Sequence, residues 1–455
     1  MYKRVCRKYH GVDGIIKNEM PKNILIILLI LFLSSLILLI DDYQLLAQGY
    51  FYLTVMYVGV SVFYIKQIQL IDTWNVAFLF IVVSEILLLK SAGNHTVSAV
   101  KYLLIANNII NIGYLSNLNN KISFRPIANL KVRNTKMVTP LLLSFVIFYF
   151  FMKIEDSIYM FSVGRNVVIR EGEGRGFFLD SIFNSIGFII PAVLAYYFVY
   201  VRRKKIWIPM LLSMPVFIVL FLQGTRFPLL FSLLGFFIVV QSKYLNKLAF
   251  KHYLVISLVM FGLAYGATIM KHFRSSSTKD TTFVFFDNNA ERSNLPTILA
   301  ESIMSPEGVV DMTSLMFRYF ETNDHLYGSS SSFLLYFWVP RQVWPDKPTM
   351  LGHWFIREHR SGFAEGHSAS FGFTGDLYAD FGLFSLFFIL LVGRLLKYAE
   401  NFKNAFFKVG NYNVVIGAML YPYVFFFVRS PITATMSFLG ILFFYVLLKR
   451  LIFKN

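Results

Sequence analysis

Apolar residues run in long unbroken stretches along this chain, set apart by short polar segments. About 20 consecutive apolar residues cross a bilayer as a helix. On that measure the pattern predicts spans at about 23–41, 49–65, 74–90, 97–115, 138–152, 182–201, 206–222, 226–241, 253–270, 377–395, 412–428 and 432–448. Only Gly224 and Thr225 divide the seventh from the eighth. The predicted fold is an all-α polytopic membrane protein of about twelve transmembrane helices. A basic stretch precedes the first run, as in a signal peptide. No small-x-small cleavage site follows, and the run ends at Asp41 and Asp42, so it reads as a retained span.

Two stretches are too long and too polar to be turns, about 153–181 and about 271–376. The chain then divides into a membrane bundle over 1–270, a large external loop over 271–376 and a three-helix membrane segment over 377–455. The large loop holds Trp338, Trp344 and Trp354. Its Phe333–Val339 run is apolar but too short to span, so it is expected at the interface or dipping back into the protein.

Composition agrees with this pattern. The chain is 56% hydrophobic and carries 50 phenylalanines. It is 15% charged, against about 25% in soluble domains. A formal charge of +18 could signal nucleic acid. Here Lys and Arg gather in alternate inter-span segments, as they do on the cytoplasmic side of membrane proteins, and no nucleic-acid partner is expected. With the N-terminus inside, most of the 43 Lys and Arg fall inside, whereas the short outer segments 42–48 and 91–96 have none. Both termini are therefore expected in the cytoplasm. Cys6, the single cysteine, excludes an intramolecular disulfide and makes a thiolate zinc site implausible.

The missing motifs narrow the chemistry. There is no phosphate-binding Gly-rich loop ending in Lys-Ser/Thr, no His-x-x-x-His and no Cys-x-x-Cys. The cytoplasmic segments leave no room for an ATPase domain. An enzyme of this composition would take its driving force from the substrate, and no cofactor is expected.

The large loop has the most distinctive chemistry. Three prolines stiffen Pro340–Pro348 and present Arg341 and Lys347 beside Trp344. Rigid cations next to an aromatic suit an anionic, partly apolar ligand, although such a loop can also be a packed cap. Gly224-Thr225-Arg226 and Arg429-Ser430-Pro431 place two arginines at outer boundaries, against the usual inside bias. Either arginine alone could snorkel to head groups. With Arg341 they make a set of guanidiniums able to fork onto phosphate oxygens. His353, His359 and His367 are candidate bases, with His367 favoured because it leads into the Gly-rich membrane entry. Asp376 and Asp380 are the carboxylate candidates.

Glu85 and Lys101 fall in the third and fourth spans, each about eight residues from the turn near Gly93. Regular helices would put them at one depth as an ion pair, or as part of a transport path with Asn107, Asn108 and Asn111.

Pro340-Arg341, Trp344-Pro345-Asp346-Lys347-Pro348, Gly352, Gly366–Ser370, Gly375-Asp376-Leu377-Tyr378 and Phe381-Gly382 resemble the Wzy-type O-antigen polymerases. Gly224-Thr225-Arg226 and the span pattern fit as well. The family often has Glu at the position of Asp376 and Asn at that of Asp380. The resemblance implies a multi-pass enzyme of the bacterial cytoplasmic membrane, working on its outer face. Its substrates would be undecaprenyl-diphosphate-linked oligosaccharides, with membrane lipids around it and a chain-length regulator as a partner. It implies diphosphate binding by Arg226, Arg341 and Arg429, and His367 or Asp376 as acceptor base. Lys347, Trp344 and His353 would line the substrate site. An O-antigen ligase and a flippase are the alternatives.

Overall fold

The computed structural model describes residues 19–65, 68–89, 93–116, 131–132, 135–163, 177–223, 226–244, 308–336, 339, 343–344, 346–347, 350–359, 370–409 and 411–454. Among them the chain is helical apart from one two-residue strand pair. The helices are α1 (Glu19–Leu39), α2 (Tyr43–Ile65), α3 (Leu70–Leu88), α4 (Asn94–Ser116), α5 (Thr135–Val163), α6 (Phe177–Tyr196), α7 (Trp207–Leu222) and α8 (Arg226–Tyr244). Then come α9 (Val309–Tyr319), α10 (Ser329–Tyr336), α11 (Leu351–His359), α12 (Gly372–Phe381), α13 (Ser385–Val409), α14 (Asn413–Arg429) and α15 (Pro431–Ile452).

Among the described residues five helical segments are long and apolar enough to cross a membrane: Leu70–Leu88, Lys136–Tyr159, Asn184–Val201, Gly372–Phe407 and Pro431–Ile452. Every predicted span on described residues is helical there; the ninth, 253–270, lies outside them. The tenth differs from its predicted form. It begins at Gly372, not near 377, and it is broken: α12 stops at Gly382, a short 3-10 turn comes next, and α13 continues to Val409. Gly382 has φ of 56°, and a side-chain carbon there would stand 2.5 Å from His325 Nε2, so the break needs glycine.

α4 and α13 cross closely at two glycines. A Cβ on Gly113 would collide with the Leu390 carbonyl, and one on Gly393 with that of Ile110. Small residues let helix backbones approach in this way when lipid offers no hydrophobic drive. Asn side chains join the neighbouring helices. Asn75 donates to Asn111 (2.9 Å), Trp74 Nε1 to Asn107 (2.8 Å), Tyr50 to Asn108 (2.7 Å), and Asn108 to Ser34 (3.0 Å). The polarity of α4 is thus spent on α1, α2 and α3.

One end of the bundle is closed by aromatic rings and the strand pair. Tyr412 stacks on Tyr445 at 4.9 Å and meets Phe453 at 5.2 Å. Lys131–Val132 pairs antiparallel with Phe453–Lys454, which places the segment after α4 beside the C-terminal strand. Nearby, the buried Lys403 donates to Glu400 (2.5 Å) and Tyr421 (2.8 Å), while Glu400 accepts the Leu70 N–H. The described residues of the large loop, from Gly308 on, pack at the opposite end.

Two buried carboxylates pin that loop. Glu85 accepts from the N–H groups of Val310 (3.0 Å) and Asp311 (3.1 Å) at the start of α9. Asp380 accepts from the N–H groups of Ser330 (3.0 Å) and Ser331 (2.8 Å), and from the Ser331 hydroxyl (2.5 Å), at the start of α10. A carboxylate at a helix N-terminus satisfies orphan donors and meets the positive end of the dipole.

The expected Glu85–Lys101 pair does not form. Lys101 instead binds Asp41 (2.6 Å) and the Leu38 carbonyl (3.1 Å), because α4 packs against α1 there. The eight-residue count assumed regular helices. A π turn at Leu79–Val83 adds a residue within α3. The extra residue rotates the rest of that helix by about 100°, and Glu85 faces α9.

Candidate functional site at the loop end of the bundle

The site is organised around the turn between α14 and α15. A residue before proline is driven out of the helical region. Ser430 accordingly sits at φ −146°, ψ 87°, and Pro431 opens α15 at a position that needs no N–H. The turn leaves Arg429, half-buried, at the end of α14.

Other elements converge on this turn. Ser370 donates its hydroxyl to the Arg429 carbonyl at 2.5 Å. Gly372, with φ of 67°, lies against the end of α14, and a Cβ there would stand 3.1 Å from the Val428 carbonyl. Asp376 comes one helical turn later, on the strip shared by Gly372 and Asp380. Gly372 abuts α14 and Asp380 caps α10, so Asp376 occupies the strip between those two contacts. Among the described residues no hydrogen bond to its carboxylate is found. Asp380 was the other carboxylate candidate, but it is buried and engaged by three donors, which leaves it a capping role.

α8 runs antiparallel to α14. Phe231 meets Phe426 at 6.3 Å, and Gly235 lies against Met419. The first residue of α8, Arg226, is thereby brought to the end of α14 that carries Arg429. The Arg226 side chain is outside the described set, as are all of Arg341 and His367 and the side chain of His359.

α10 and the described residues that follow it pack alongside. Phe333 of α10 closes with Ile432 and Met436 of α15, and Tyr336 and Met350 join them. Trp344 lies 5.3 Å from Tyr336 and is partly exposed. Lys347 is only 8% exposed; its ammonium donates to the Val339 carbonyl (2.9 Å) and lies 5.1 Å over Phe333. It therefore braces the loop's own backbone. His353 is in the first turn of α11, its N–H bonded to the Met350 carbonyl (3.0 Å). α11 in turn packs Phe355 against Phe371, at the entry to α12 (5.3 Å).

No protein-family model, curated protein or solved structure matches this chain. Arg429 and the start of α8 share one end of the bundle, where α12 also begins; Lys347 reaches the adjoining start of α15 through Phe333, and Trp344 through Tyr336. No group of three or more His, Cys, Asp or Glu able to hold a metal occurs among the described residues. Sequence reasoning did not single out Ser370 and Gly372 individually. Only the glycine-rich character of the stretch hinted that backbones meet there.

Proposed function

We propose that this protein is a glycosyltransferase that polymerises lipid-linked oligosaccharide repeat units at the outer face of a bacterial cytoplasmic membrane. The growing glycan would leave undecaprenyl diphosphate and join a sugar of the incoming lipid-linked unit. The observation that carries this reading is that Arg429 and the start of α8 at Arg226 meet at one interhelical turn, against which Ser370 and Gly372 bring the start of α12.

The chemistry assigns a role to each group. A base, His367 first and Asp376 second, takes the proton of the acceptor hydroxyl. The freed oxygen bonds to the anomeric carbon of the donor glycan as the bond from that carbon to the diphosphate oxygen breaks. The electron pair leaves with the diphosphate, and Arg226, Arg341 and Arg429 stabilise the charge that develops on it. The remaining spans, the cytoplasmic placement of both termini and a chain-length regulator as partner belong to the same proposal.

The flippase alternative rested on a Glu85–Lys101 pair, and those two residues serve separate contacts. The ligase alternative shares the donor and differs in the acceptor. Glycan length on a gel, from cells lacking this protein, separates the readings. Single capped repeats support polymerisation. Full-length polymer retained on its lipid carrier identifies a ligase, and glycan that never reaches the outer face identifies a flippase.

A further inference from the structure

One face of α15 carries Ile432, Met436, Leu439, Phe443 and Val446, spaced four, three, four and three residues apart. This spacing keeps all five on a single stripe of the helix. Leu439, Phe443 and Val446 are large, apolar and exposed, on a helix long and apolar enough to span. That part of the stripe meets lipid. Ile432 and Met436 continue it to the loop end, and there Phe333 of α10 covers them. α10 therefore lies on the lipid side of α15.

The exposed residues of α10 and of the segment at 343–344 have the matching chemistry. Leu335 and Val343 are each 75% exposed. Next to them in the chain, Tyr336 and Trp344 pair their rings at 5.3 Å. Tyr and Trp concentrate where hydrocarbon gives way to head groups, because each joins an apolar ring to a polar tip. Asp380 anchors the start of α10 to the bundle, and the Lys347 ammonium, turned onto the Val339 carbonyl, leaves no charge facing outward from that side chain.

We propose that α10 and the turn at 343–344 rest in the interfacial layer of the leaflet on the loop side, with lipid as their partner. Trp344 is then a membrane contact, and α10 with the described residues 343–344 is a lipid-seated arm beside the start of α15. This inference rests on the membrane-spanning character of α15 and is independent of the reaction proposed above.

The test uses the full chain with Cys6→Ser, carrying Leu335→Cys or Val343→Cys and labelled with an environment-sensitive fluorophore in lipid nanodiscs. Phe443→Cys serves as the lipid control and Asp324→Cys as the water control. Emission at 335 and 343 is expected to shift to shorter wavelength and to be lost when lipids carry a nitroxide near the head group. Emission matching that at 324, quenched by iodide and indifferent to nitroxide lipids, would overturn the proposal. So would a short-wavelength emission that nitroxide lipids leave intact, in a particle that has doubled in mass, because a second copy would then be the occupant.

Discussion

Replacing Glu85 with alanine removes the carboxylate that, among the described residues, holds the first N–H groups of α9, and its cost can be worked from the contacts. Glu85 is 2% exposed and Val310 is fully buried, so water cannot take over the Val310 bond, whereas Asp311 is exposed and its N–H is the cheaper of the two to release. Hydrogen bonds to a charged acceptor contribute about 1.5–3 kcal/mol each, and N-cap truncations cost about 1 kcal/mol. Two bonds of 3.0 and 3.1 Å therefore put Glu85→Ala at about 3 kcal/mol. Glu85→Gln keeps an acceptor and loses mainly the charge at the dipole, about 1 kcal/mol. Amide hydrogen exchange in detergent reads this locally: α9 protection should fall about a hundredfold for Ala and about fivefold for Gln. Lys101→Ala should leave α9 untouched, and the Glu85–Lys101 double-mutant cycle should be additive. Unchanged α9 protection in Glu85→Ala, or a large coupling between the two residues, would refute the capping assignment and restore the ion pair.

The packing gives two further expected outcomes. Asp380→Ala removes the acceptor of three donors at the start of α10 and should cost about 2–4 kcal/mol; limited proteolysis should then cut near 329–336 while the bundle stays intact, and an unaltered digest would contradict it. Gly393→Ala places a carbon against the Ile110 carbonyl, where backbone cannot give way. It should lower the melting temperature in detergent, by at least about 2 kcal/mol of stability, and a variant that melts like the parent would show that the crossing is looser than described.

Helix placement was legible in the sequence because long unbroken apolar runs leave few alternatives to a helix. Residues such as those of α15 announce themselves by hydropathy alone. The α14–α15 turn was legible too, since Ser430-Pro431 permits little else. The interior of the large loop was not. α9, α10 and α11 are only about two to three turns long and take their shape from tertiary contacts that no local pattern records. Glu85 was paired with the wrong partner because a π turn leaves no mark in hydropathy. Asp380 looked like a free carboxylate because its donors, on α10, lie 50 residues earlier in the chain. Lys347, read as a ligand for an anion, turns its ammonium to the loop's own Val339 carbonyl.

The central claim is that the arginines at the loop end serve transfer between lipid-linked glycans. Purified protein in proteoliposomes, supplied with undecaprenyl-diphosphate-linked repeat units, tests it most directly. The wild type should convert single units into a ladder and release undecaprenyl diphosphate. Arg429→Ala, folded and present in equal amount, should lose at least about a hundredfold in rate. A wild-type protein that releases no diphosphate and forms no ladder, or an Arg429→Ala variant that polymerises at the parental rate, would contradict the account.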